Sequence, residues 1–164
     1  MSRRWVWFIA LALSACGFQL RGAHPLPFDT LFVNLPESSE LRAVIKRNVE
    51  ASSQTRVIDD AKQAQATLNV LADNQVKNIL SLNSAGRVRE FQLVRVFTFR
   101  VQDAKGQDYV PVSSVRITRD ITFNDTTVLS KDAEEAMLWR DIQNDLVQQL
   151  LRRLTAARLR PAEE

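Results

Sequence analysis

Hydrophobic and polar positions alternate with a period that changes along the chain, and each change marks an element. Leu31-Phe32-Val33 is a short β-branched and aromatic run that stops at Pro36, as a first strand does. From Ser38 the spacing turns helical: Leu41, Val44, Ile45 and Val49 fall on one face, and Ser38 or Ser39 is placed to cap. The pattern predicts a helix over 39–52. The period then becomes two. Leu68, Val70 and Ala72 alternate with Thr67, Asn69 and Asp73, and a second apolar stretch follows at Val76, Ile79, Leu80 and Leu82.

Two turn signals divide the next region. Asn83-Ser84-Ala85-Gly86 separates that stretch from a long strand predicted over 88–102, so the two form a hairpin. Asp103-Ala104-Lys105-Gly106 leads to a half-buried strand in which Val115, Ile117, Ile121 and Phe123 point one way and Arg116, Thr118, Asp120 and Thr122 the other. A long helix closes the chain, with Leu138, Ile142, Leu146, Val147, Leu150, Leu151 and Leu154 on its apolar stripe. Ser130 is its expected N-cap, and Asp132, Glu134 and Glu135 suit the positive end of its dipole.

The order β-α-β-β-β-α predicts an α+β fold, a two-layer α/β sandwich in which two helices cover one face of a four-stranded, mostly antiparallel sheet. In the strand over 88–102, Phe91, Leu93, Phe97, Phe99 and Val101 face the helices. Val88, Val94 and Val96 lie on the opposite face, which ordinarily meets water. They are candidate partner-facing residues, the plainer reading being scattered surface valine.

The amino terminus follows a different logic. Arg3 and Arg4 precede an apolar run over 5–13, and small residues then lead to Cys16, the chain's single cysteine. At ~1.5 Å of helical rise per residue that run is too short for a ~30 Å hydrocarbon core, so it reads as a cleaved export signal and not as a lasting span. Leu13-Ser14-Ala15-Cys16 resembles the bacterial lipobox. That resemblance implies an S-diacylglycerol and an N-acyl chain on Cys16, with no other cofactor expected. Gly17 follows in place of the aspartate that favours inner-membrane retention, so the outer membrane, periplasmic side, is the expected location. The expected domains are a signal peptide over 1–15, a lipidated tether over 16–30, one folded domain over 31–159 and a polar tail over 160–164.

Charge changes the picture little. The formal +3 falls to +1 once Arg3 and Arg4 leave with the signal, because 20 basic residues then face 19 acidic ones. No nucleic-acid partner is expected. One cysteine allows no internal disulfide. The region over 86–119 is locally basic, with Arg87, Arg89, Arg95, Arg100, Lys105, Arg116 and Arg119 against Glu90, Asp103 and Asp108. Such positions serve either an anionic amphiphile or cross-strand ion pairs. Lys131 opposes the dipole if it stands in a first helical turn, which marks it as paired with a neighbouring acid or kept for a ligand. His24 is the only histidine and lies in the tether, so neither a Ser-His-Asp arrangement nor a histidine metal cluster can be assembled; no catalytic or metal site is expected.

The opening Cys16-Gly17-Phe18-Gln19-Leu20-Arg21-Gly22, the stretch Arg89-Glu90-Phe91-Gln92-Leu93 and the helix start Leu129-Ser130-Lys131-Asp132-Ala133-Glu134 resemble the LptE family of lipopolysaccharide-assembly lipoproteins. The resemblance implies a plug that sits one-to-one in the LptD β-barrel, assists its assembly and binds lipopolysaccharide during transport to the cell surface. The family's binding lysine matches Lys131. Its binding arginine has no match, since Ser84 stands at that turn position, with Arg87 and Arg89 nearby. The alternative is an independent lipid-anchored binding module or an auxiliary subunit of an envelope lipid transporter.

Overall fold

The computed structural model describes residues 25–122 and 128–158, with the backbone alone at 128–130. Its elements are β1 (Thr30–Asn34), α1 (Glu40–Ser52), β2 (Arg56–Ile58), a 3-10 turn (Ala61–Gln63), β3 (Ala66–Leu82), β4 (Val88–Asp103), β5 (Asp108–Thr122) and α2 (Val128–Thr155). One mixed sheet holds five strands in the order β2-β1-β3-β4-β5. β1 runs parallel to both its neighbours, and β3, β4 and β5 form an antiparallel meander. The class is the expected α+β two-layer sandwich, but β2 adds a fifth strand. Three residues after a helix carry too little periodicity to announce a strand; pairing with β1 makes it one.

Local chemistry accounts for the element ends. The Ser39 hydroxyl accepts from the Arg42 amide at 3.3 Å, capping α1 at its expected start. The two hairpin turns share one construction. Gly86 and Gly106 adopt φ of 74° and 83°, their amides donate to the carbonyls of Asn83 and Asp103, and the Asn83 and Asp103 side chains each accept two further turn amides. This is a type I turn closed by a left-handed glycine. α2 starts at Val128, so Ser130 lies within the helix and is not its cap. A boundary of this kind is weakly specified by pattern, because Val and Leu extend a first turn at little cost.

Alternation along β4 gives the sheet two faces. Leu93, Phe97, Phe99 and Val101 are buried with Leu41, Ile45 and Val49 of α1 and Ile142, Leu146, Leu150 and Leu154 of α2. Each such side chain stabilises the fold by about 1.5–3 kcal/mol. The stretch expected to be tether also enters this core: Phe28 is buried, with its ring edge-on to Tyr109 at 5.3 Å between centroids. Burial raises the Tyr109 phenol above its ordinary pKa, and the Asp103 carboxylate adds to the shift.

α2 lies lengthwise on this face. Glu135 meets Lys77, Gln143 meets Arg95, and Arg153 donates to the Ser114 carbonyl, so the start of α2 lies toward the hairpin end of β3 and β4. β3 and β4 remain paired well beyond the reach of β1, which covers β3 only over Ala66 to Asn69.

Candidate functional site

Three kinds of surface meet at the hairpin end. The first is apolar: Val76, Ile79, Leu80 and Leu82 of β3 are 47–60% exposed, and Leu71, farther back along the strand, is 50% exposed. Register shifts at Leu71 and Leu80 turn these side chains toward both faces and the strand edge. The sequence carried a signal for them, since the apolar positions from Val76 to Leu82 do not keep a period of two. Alternation on one buried face cannot produce that spacing.

The second is charged and lies on the helix side. Lys77 Nζ donates to Glu135 at 2.5 Å and sits 4.4 Å from the centroid of the Phe91 ring. Glu135 also accepts from the Trp139 indole at 3.4 Å. One turn earlier, Lys131 Nζ donates to Glu134 at 2.6 Å, an i,i+3 pair. Of the two expectations for Lys131, the neighbouring acid is therefore present, and the helix start at Val128 places the lysine beyond the most unfavourable amides. Arg89 is exposed on β4 beside Val88, at the register shift that ends the ladder with β3. Arg87 is exposed at the turn. The structure thus brings Lys131, Arg87 and Arg89 to one end of the molecule, with Lys77 as a cation that sequence reasoning did not single out. Ser84 is exposed at the tip.

The third is the open face. Val88 and Val96 are half-buried there, whereas Val94 is only 3% exposed and yet lies outside the helix-side core. Val94 stands in register between Val76 of β3 and Thr118 of β5. Around the valines the face is polar and internally paired: Gln92 with Asp120, Thr98 with Ser114, and Ser81 with Glu90.

Other basic positions serve the fold. Arg95 is 3% exposed on the helix side, where it makes a two-pronged bond to Asp73 at 2.8 and 2.7 Å and a third to Gln143 at 3.3 Å. Gln143 in turn donates to Glu40 of α1. Arg119 pairs with Asp145 of α2 at 3.1 Å. Among the described residues no group of three or more His, Cys, Asp or Glu comes together as a metal-ligand set. Cys16 and Phe123 lie outside the described residues.

A two-layer domain whose conspicuous surfaces are an apolar strand edge, an end rich in paired cations and an uncovered sheet face has the attributes of a docking and binding protein. Comparisons with known proteins narrow this class. The family model described as "LptE: Lipopolysaccharide-assembly" matches residues 28–154, and the chain belongs to that family. It is 30% identical over 148 residues to the LPS-assembly lipoprotein LptE of Pectobacterium atrosepticum, which covers 88% of this chain and 79% of the relative. Among solved structures it resembles lipoprotein B from Nitrosomonas europaea, with a TM-score of 0.75, 35% identity, and coverage of 85% of this chain and 91% of that one. A minor lipoprotein from Acinetobacter baumannii is similar with a TM-score of 0.68, 26% identity, and coverage of 85% and 100%.

Proposed function

We propose that this chain is a cell-envelope lipoprotein of lipopolysaccharide assembly, held on the periplasmic side of the outer membrane by lipid on Cys16. In this reading it plugs the LptD β-barrel one-to-one, assists its assembly and contacts lipopolysaccharide as it passes. The observation that carries the reading is the hairpin end, where exposed apolar side chains and cations occupy one extremity of a domain otherwise closed over its core. An amphiphile with phosphate on its head and acyl chains behind it has that division of polarity. Lys131, Arg89 and Arg87 are assigned to the phosphates, and Val88, Val94 and Val96 to the partner side. Lys131 is held by one i,i+3 bond to the exposed Glu134, which an anionic head group can replace.

Co-expression of the tagged chain with LptD, followed by extraction in mild detergent, is expected to return a stable one-to-one complex. Recovery of a folded barrel and this protein separately would favour the independent binding module. On the same complex, Lys131→Glu is expected to weaken lipopolysaccharide capture severalfold while leaving LptD bound. Unchanged capture would return Lys131 to the role of an ordinary helix-surface residue.

A further inference from the structure

The two long edges of the sheet are built differently. Along β5 the edge carries Pro111, a register shift between Val110 and Ser113, and the charges of Asp108 and Arg116, while Arg119 and Asp120 are held by Asp145 and Gln92. These devices discourage a further strand from pairing. The edge of β3 past Asn69 has no neighbouring strand among the described residues and contains no proline. Its only charges, Asp73 and Lys77, are committed to Arg95 and Glu135 on the helix side. What remains on the edge is amide and apolar: Leu71, Asn74, Val76, Asn78, Ile79, Leu80 and Leu82. Between the irregularities at Leu71 and Leu80, pairing with β4 is continuous from Ala72 to Ile79, so the outward N–H and C=O groups keep strand spacing.

We infer that the β3 edge from Ala72 to Leu82 receives an extended, uncharged segment of the barrel partner as a sixth strand. This rests on the partnership proposed above and specifies how one part of that contact is made. A row of outward backbone groups is matched in full only by another extended backbone, which gives the occupant its chemistry. The apolar side chains beside the row reward β-branched or aliphatic residues on the incoming strand. A second copy of this chain fits less well. Four half-exposed side chains offer only a few hundred Å², short of the ~800 Å² per partner of a stable interface. The occupant must therefore belong to a body that also covers neighbouring surface. The open face supplies that surface without a break, since Val76 on the edge strand is in register with Val94, and Leu82 with Val88.

The test is residue-resolved hydrogen exchange of the full lipidated chain, alone and in complex with LptD. Strand addition is expected to slow every second amide between Ala72 and Ile79 by roughly tenfold or more, because only the amides pointing away from β4 gain acceptors. The double substitution Val76→Lys and Leu82→Lys is expected to abolish that protection and weaken the complex, while the Tm of the isolated chain changes little. An intact complex with unchanged exchange along β3 overturns the strand addition and leaves the partnership standing. Failure of the wild-type chain to bind LptD overturns both. Alternate-amide protection that grows with concentration in the isolated chain assigns the edge to a second copy and overturns the occupant proposed here.

Discussion

Arg95 shows how much a single side chain's meaning depends on its cross-strand neighbours. As a basic residue in a basic strand it is a candidate for anion binding. In the fold it is buried under α2 and held by both oxygens of Asp73, 22 residues earlier, with Gln143 as a third partner. An ion buried on one side and exposed on the other contributes little net stability when intact, but losing one partner leaves a charge without compensation. Asp73→Ala is therefore expected to destabilise the domain by roughly 2–3 kcal/mol, and Arg95→Met by clearly less, because methionine removes the buried charge together with its desolvation. Chemical denaturation of the two variants checks the order; equal or reversed losses would show that packing of the arginine stem, not the ion pair, is what matters. The pair was not legible in the sequence. Asp73 reads there as one polar position of an alternating strand, and only the register Asp73↔Phe97 and Gln75↔Arg95 places its carboxylate beside the guanidinium.

At the scale of elements, the sequence is informative where local chemistry decides. Ser39 capped α1 as its position implies, and both turns closed at the glycines. Nothing lies within 4 Å of a Cβ built on Gly86 or Gly106, so alanine there meets only the strain of a left-handed backbone. Gly86→Ala and Gly106→Ala should each cost about 1 kcal/mol. Thermal unfolding of the two variants measures this, and a much larger loss at Gly86 would mean that the tip takes part in folding beyond closing the turn. Elements defined by tertiary pairing were harder to read. β2 exists because β1 offers it a parallel edge, and β3 reads in sequence as two stretches, ending at Asp73 and resuming at Val76, although its pairing with β4 runs unbroken from Ala72 to Ile79. The functional end was legible only in part for the same reason. Lys131 and Arg89 stand out as residues, but their gathering with Lys77 and the exposed β3 edge depends on how α2 lies along the hairpin.

For the molecule as a whole, the proposed anchor and the proposed interfaces divide the work between delivery and grip. A lipid chain contributes about 0.8 kcal/mol per buried methylene, and two or more chains hold a protein firmly to a bilayer whatever it binds there. The folded domain's contribution is of another kind. An open sheet face, a strand edge and a cationic end together present far more surface than the edge alone, and an interface of that extent holds a partner without help from a tether. Anchoring mainly raises the local concentration of the domain near its partner. Replacing Cys16 by Ala behind an export signal cleaved without lipidation is accordingly expected to lower the amount recovered with the outer membrane severalfold. The fraction of that protein found bound to LptD, measured per molecule exported in cells that overproduce both, should fall much less. If the unlipidated chain is exported and folded but fails to hold LptD at any expression level, the lipid contributes to the grip itself, and the surfaces at the hairpin end are too weak to act alone.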